Sequence, residues 1–148
     1  MKLEGTYTFE APRQAVWEAL MDPEVLAKVM PGCEKLEEVE ENKYKGILNV
    51  KVGPVQGKFE GVVTITEVNP PEGYSIQVDG RGPAGFMKGV GQIRLEDQGE
   101  TTLIHYGGDA QVGGRIASVG QRLLDTTAKS MSRQSLEGLH NQIKARQS

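Results

Sequence analysis

Few side chains in this sequence belong to the types that do chemistry, and their spacing limits what they can do. The two histidines, His105 and His140, and the single cysteine, Cys33, show none of the close pairing that a zinc site needs. Cys33 follows Pro31-Gly32 and is flanked by Glu34 and Lys35; a thiol nucleophile requires a base to take its proton, and none is evident beside it. One cysteine cannot close an internal disulfide either, which suits a reducing compartment. His105 shares an alternating face with Leu103, Gly107 and Asp109, a largely polar set that points it to solvent as a structural histidine. His140 lies in the last turns of a helical stretch, where a cation suits the helix dipole. Gly80-Arg81-Gly82-Pro83-Ala84-Gly85 is glycine-rich, but a phosphate-cradling loop leads into a helix and here a strand follows. No catalytic residue and no metal ligand is assigned. Acid-base chemistry of a cyclase or hydratase kind would need His105, Glu60 and Asp109 to face an interior.

What remains is the scaffold and the space it encloses. The 148 residues fall within the size of one domain, and no Pro/Ser-rich linker or low-complexity tract divides 1–148. Lysine, arginine and acidic residues are interspersed with a net charge of -3, which provides no basic stripe for a phosphate backbone and argues against a nucleic-acid partner. Uncharged stretches fall far short of the roughly 20 residues that cross a bilayer, and no apolar signal region follows Met1, so a cytoplasmic protein is expected.

Residues 2–10 alternate, with Leu3, Gly5, Tyr7 and Phe9 on one side, as in a half-buried strand. Pro12 opens a helix carrying Val16, Trp17, Leu20 and Met21; Asp22 caps a second one with Pro23 in its first turn, closed by Pro31-Gly32. From 34 to 112, six strands are separated by Glu41-Asn42, Gly53-Pro54, Asn69-Pro70-Pro71-Glu72-Gly73, Gly82-Pro83 and Asp97-Gln98-Gly99, an antiparallel meander. After Gly113-Gly114 a helix of about 30 residues runs to about Lys144, on the order of 45 Å at 1.5 Å per residue. The fold class is α+β, a seven-stranded sheet whose apolar face the helices cover.

The most informative signal is where the glycines fall. On 44–52 the apolar side reads Tyr44, Gly46, Leu48, Val50 and Val52; on 55–65 it reads Val55, Gly57, Phe59, Gly61, Val63 and Ile65. Later strands continue with Tyr74, Ile76, Val78 and Gly80, then Met87, Gly89, Gly91, Ile93 and Leu95. Alternation thus puts many glycines on the inner face. Such glycines mark a bend, a bulge or a close approach. Two readings stay open: they only let the sheet curl around the helix, or curl and missing side chains together leave a cavity. A dry cavity of about 300 Å³ at about 24 cal/mol per Å³ costs about 7 kcal/mol. That rivals a total stability of roughly 5–15 kcal/mol, so a ligand, ordered solvent or an inward helix must fill it. Candidate lining residues are Phe59, Val63, Ile76, Met87 and Ile93 from the sheet, Leu123, Thr127 and Met131 from the helix, and Met30 as a soft, adaptable contact; each is also at home in a plain core. Phe86, after the Gly82-Pro83-Ala84-Gly85 turn, is placed at the pocket mouth or as a loop hydrophobe.

These residues resemble the CoxG family of carbon monoxide dehydrogenase subunits, a branch of the superfamily that includes START and birch-pollen-allergen-like domains. The resemblance runs over 3–139. It rests on Met30-Pro31-Gly32-Cys33-Glu34, on Val52-Gly53-Pro54-Val55-Gln56-Gly57-Lys58-Phe59-Glu60-Gly61, and on Ala110-Gln111-Val112-Gly113-Gly114-Arg115-Ile116-Ala117 leading to Gly120-Gln121-Arg122-Leu123-Leu124-Asp125. It implies a helix-grip fold with a deep hydrophobic cavity, and an accessory role beside a molybdenum hydroxylase of the carbon monoxide dehydrogenase type, attaching or coupling that enzyme to the membrane. Pro31, Gly32 and Cys33 then lie near the pocket rim, Gly53 and Pro54 at a hairpin tip, and Gly113 and Gly114 before the long helix. Some members of the family carry a linker and a membrane-seeking tail; here the sequence stops at Ser148, so direct anchoring is not expected and transient contact at the inner membrane face is. The expected function is a non-enzymatic binder or carrier of a hydrophobic small molecule, a lipid or a quinone, with no other cofactor. The alternatives are a cyclase-like or hydratase-like enzyme using the same cavity and a pure protein-recruitment module.

Overall fold

A computed structural model describes residues 1–147. Strand β1 (Lys2–Phe9) is followed by helices α1 (Arg13–Leu20) and α2 (Pro23–Val29), and then by the meander β2 (Cys33–Glu40), β3 (Lys43–Val52), β4 (Val55–Asn69), β5 (Gly73–Gly82), β6 (Gly85–Asp97) and β7 (Thr102–Gly113). A 3-10 helix (Arg115–Val119) precedes the terminal helix α3 (Gln121–Gln147). The seven strands form one sheet in the order β1-β7-β6-β5-β4-β3-β2, antiparallel throughout, which is the helix-grip architecture expected.

Local chemistry accounts for the helix starts. Asp22 has extended backbone angles and its Oδ1 accepts from the Glu24 N–H at 3.0 Å, with Pro23 at the first helical position, so α2 begins where the cap satisfies an orphan donor. The long helix begins later than its apolar pattern suggests. Gly114 and Gly120 adopt φ +84° and +96°, conformations that side chains with a Cβ rarely take, and the two glycines bracket the 3-10 helix before α3 starts at Gln121. The 3-10 helix is tethered by Ile116 N–H donating to the Ala84 carbonyl at 2.8 Å.

Buried apolar residues form two separate clusters. The larger gathers Phe9, Val16, Trp17, Leu20, Val25, Tyr44, Ile65, Tyr74, Leu95, Ile104, Leu139 and Ile143 beneath α1, α2 and the C-terminal half of α3. The smaller gathers Val52, Val55, Phe59, Ala84 and Ile116 at the opposite end of the sheet, under the β3–β4 and β5–β6 hairpins, with Leu123 and Leu124 packed on it.

Candidate functional site

Between the two clusters the inner face of the sheet is floored by backbone. Strand pairing lines up Leu36, Gly46, Gly61, Gly80, Met87 and Val112 in one row across β2 to β7, three glycines side by side at its centre. The adjacent row reads Tyr44, Val63, Val78, Gly89 and Ala110, and the next Ile65, Ile76, Gly91 and Gly108. A Cβ added to Gly61 would meet only strand backbone, the Asp79 carbonyl oxygen at 3.6 Å and the Gly80 Cα at 3.8 Å, and one on Gly80 would meet only carbonyl oxygens at 3.9 Å. No side chain from α3 comes within 4 Å of either point.

The helix above this floor is equally spare. By spacing, Leu124, Ala128, Met131, Ser135 and Leu139 share one face of α3, and between the two leucines that face carries small residues and one methionine. The helix comes close to β1, β3, α1 and α2 but stands off the centre of the sheet at β4, β5 and β6. Accordingly Leu48, Val63, Ile76, Val78, Met87 and Met131, all apolar and inward or on α3, are only half-buried, whereas Leu95, Ile104, Leu139 and Ile143 are almost wholly so. Water-sized space therefore reaches apolar side chains between sheet and helix, forming a hollow with a glycine floor.

Of the residues singled out by pattern, Val63, Ile76 and Met87 stand on the hollow's floor, with Thr127 and Met131 on the helix that roofs it. Phe59 is buried in the smaller cluster and walls one end; Ile93 packs against the larger cluster and walls the other. Leu123 lies over the β3–β4 hairpin tip, its methyl group 2.7 Å from where a Gly53 Cβ would stand. Two candidates lie elsewhere. Phe86 belongs to strand β6, not to a turn, and its ring lies across Gly113 on the outer face, because one residue of register from Met87 reverses the side. Met30 ends α2, half-buried, at the junction with β2. The sequence candidates omitted Leu48, Val78 and Ala128; alternation already turned the first two inward, while the run of three glycines appears only once strands are paired.

The largest concavity of the surface, about 1310 Å³, lies on the other side of the sheet. It is a wide, open groove lined by Lys43, Lys45, Glu60, Asp79, Lys88 and Asp109 around Val62 and Val90. A charged lining of this kind suits water rather than an apolar molecule.

The same outer face holds every acid-base candidate. Glu60 and Asp109 are exposed there, and His105 Nε2 lies 3.2 Å from Glu96 Oε1, a contact that holds the Glu96 carboxyl below its usual range. The titratable side chains that do turn inward are tyrosines and His140. Burial pushes the Tyr74 phenol far up, and burial with Glu38 nearby raises that of Tyr44, so both stay neutral. His140 is buried and uncharged, not the solvated cation that its place near a helix C-terminus suggested. Its Nε2 accepts the Glu10 backbone N–H at 2.9 Å, which leaves the ring proton on Nδ1, 3.0 Å from the Tyr7 hydroxyl. Burial first, and the Lys144 ammonium second, press its pKa below the ordinary value, against a smaller opposing pull from Glu10. Burial likewise raises the Cys33 thiol, so little thiolate forms. Among the described residues no cluster of His, Cys, Asp and Glu is arranged to hold a metal ion, and no helix is long and apolar enough to cross a membrane.

The CoxG family of carbon monoxide dehydrogenase subunits matches residues 5–144. Among curated proteins, none matches the sequence. Among solved structures, a conserved protein from Geobacillus kaustophilus is 33% identical, with a TM-score of 0.94 over 98% of this chain and 96% of that one. A START superfamily protein from Mycobacterium smegmatis is 12% identical, with a TM-score of 0.73 over 97% of each chain. The Zhui aromatase/cyclase from Streptomyces sp. R1128 is 18% identical, with a TM-score of 0.71 over 100% of this chain and 96% of that one. At such identities the last two establish a shared fold and nothing of activity.

Proposed function

The chain belongs to the CoxG family of carbon monoxide dehydrogenase subunits, and from that premise we propose that it binds and carries a hydrophobic small molecule, a lipid or an isoprenoid quinone, as accessory to a molybdenum hydroxylase of the carbon monoxide dehydrogenase type. The observation that carries the proposal is the row Gly46, Gly61 and Gly80, open above to half-buried Val63, Val78, Met87 and Met131. An apolar hollow of pocket size left dry costs a large share of a domain's stability, so cargo that fills it is stabilising in proportion to the apolar area it covers. A quinone suits an apolar site serving a redox enzyme. Its uncharged ring asks for no buried counter-ion, and the inward tyrosines Tyr44 and Tyr74 are neutral. Such cargo resides in membranes, so loading involves brief contact with the inner membrane face.

Catalysis in the hollow is the weaker reading, because Glu60, His105 and Asp109 all stand on the outer face of the sheet. The test is direct. Protein purified under mild conditions is extracted with organic solvent and the extract analysed by mass spectrometry, alongside titration with a menaquinone or ubiquinone of short tail. A co-purifying isoprenoid or acyl lipid, or saturable quinone binding, is expected. An empty extract together with no quinone binding overturns the proposal.

A further inference from the structure

Between the end of β7 and the first turn of α3 lies a second concavity, of about 410 Å³, lined in part by Ala110, Val112, Ala117, Gln121 and Leu124. Its floor continues the hollow. Ala110 heads the row that runs through Gly89, Val78 and Val63, and Val112 heads the row that runs through Met87, Gly80 and Gly61. The sheet is uncovered at this point, because the pairing of β1 with β7 stops at Lys2 opposite Asp109 and leaves 111–113 as a free edge.

The helix beside this gap is held at one end only. Its hydrogen bonds and ion pairs to other elements sit near its C-terminus: His140 to Tyr7 and Glu10, Lys144 to Glu10 at 3.2 Å, and Arg146 to Asp22 at 2.7 Å. Gly138 packs so tightly on α2 that an added Cβ would stand 3.0 Å from the Val29 Cβ. At the other end, Gly120 (φ +96°) links α3 to the tethered 3-10 helix, and a Cβ there would meet nothing within 4 Å. Within α3, the Thr126 and Ser135 hydroxyls donate back to the carbonyls of Arg122 and Met131 at 2.9 and 2.8 Å, bonds that compete with the helical ladder and favour bending.

We infer that cargo passes in and out of the hollow through this gap between the free end of β7 and the first turns of α3, with Gly120 as the hinge. The inference rests on the carrier reading above. Hinged at Gly120 and bent near Thr126, residues 121–135 lift away from Val112 while the C-terminal clamp stays in place. No strand need separate from its neighbour, so opening breaks only the apolar contacts of Leu123 and Leu124 with the smaller cluster.

The test uses N-phenyl-1-naphthylamine, an uncharged probe that fluoresces in apolar surroundings, and the variant Val112→Cys/Leu124→Cys in a Cys33→Ser background. The oxidised variant, its disulfide confirmed by mass, is expected to load and release the probe at least about tenfold more slowly, with the equilibrium Kd within about twofold and the rates restored on reduction. The reduced form of the same protein controls for folding. A second variant, Ala117→Trp, fills the gap without a crosslink and is expected to slow both rates alike. Unchanged rates in both variants overturn the gap as the route while leaving the carrier reading intact. A wild-type protein that binds neither the probe nor quinone removes both.

Discussion

Toward its C-terminus, α3 rests on α1, α2 and β1 with Leu139, His140 and Ile143 buried, and the strands beneath contribute Phe9, Leu95 and Ile104. Toward its N-terminus the same helix passes over the same sheet above Gly46, Gly61 and Gly80 and leaves Met131 half-buried. The two regions share elements, pairing and helix; they differ in side-chain size. A packed end and a glycine-floored end can coexist because stability is supplied locally by the first, through burial of large side chains, and is not required of the second. Function is then free to occupy the region where packing is absent.

Truncation should separate the regions most sharply. Leu139→Ala removes a fully packed side chain and is expected to cost about 2–5 kcal/mol, read as a fall in Tm of about 2–4 °C per kcal/mol for a domain of this size. Met131→Ala is expected to cost less than about 1 kcal/mol, because its side chain has few packed neighbours to lose, and to weaken probe binding instead. Equal costs at the two positions would mean that the interior is uniformly packed. Filling the hollow inverts the experiment. Gly61 has no positive φ and open space above it, so Gly61→Leu is expected to leave stability within about 1 kcal/mol and to weaken binding of an apolar probe at least about tenfold, about 1.4 kcal/mol. Full affinity in a folded Gly61→Leu protein would place the cargo elsewhere.

How far the sequence reaches differs between the regions in the same way. Alternation along single strands placed Val63, Ile76, Met87 and Ile93 inward, and Asp22-Pro23 marked the start of α2, because those signals are local. The glycine row was not legible as a row, since Gly46, Gly61 and Gly80 become neighbours only through pairing across three strands. Phe86 failed for a related reason: its glycine-rich context reads as a turn, whereas pairing with Arg81 and Gly113 extends the strand and fixes the face. His140 misled because a C-terminal helical position suggests a solvated cation, and only tertiary contact with Tyr7 and Glu10 shows it buried. The break at Gly120 was hidden inside an apolar helical pattern that continues across it.

The clamp on the packed end sharpens the comparison at smaller scale. Asp22 caps α2 and also receives Arg146, whose guanidinium holds the Asp22 carboxyl below its ordinary range. Asp22→Ala loses both contacts and is expected to cost about 1 kcal/mol. Arg146→Ala loses only an exposed pair and should cost between about 0 and 1 kcal/mol. Thermal melts of the two variants decide it; an arginine change as costly as the aspartate change would assign the stabilisation to the ion pair rather than to the cap.

The smallest effect is a slope against pH, and it tests whether the packed end alone carries a proton-sensitive contact. His140 is neutral when folded, with Nε2 occupied by the Glu10 N–H, so the ring can take a second proton only by giving up that bond. Its folded pKa lies below the unfolded value of 6.5. The unfolded chain therefore binds the proton more readily, and the stability that His140 contributes is complete above pH 6.5 and lost as pH falls from there through the folded pKa. The charged groups around it on α3 and at the end of β1 are Lys144, which opposes protonation, and Glu10, which favours it and is itself paired with Lys144. Melts between pH 7.5 and 5 should show Tm falling more steeply in the wild type than in His140→Gln, whose amide does not titrate, and the His140 ring signals in NMR should titrate below 6.5. Probe release from the hollow should keep its rate over the same window as long as the protein stays folded, because the hinge and the gap contain no histidine. Acid-accelerated release in folded protein would couple the two regions and break the independence on which the comparison stands.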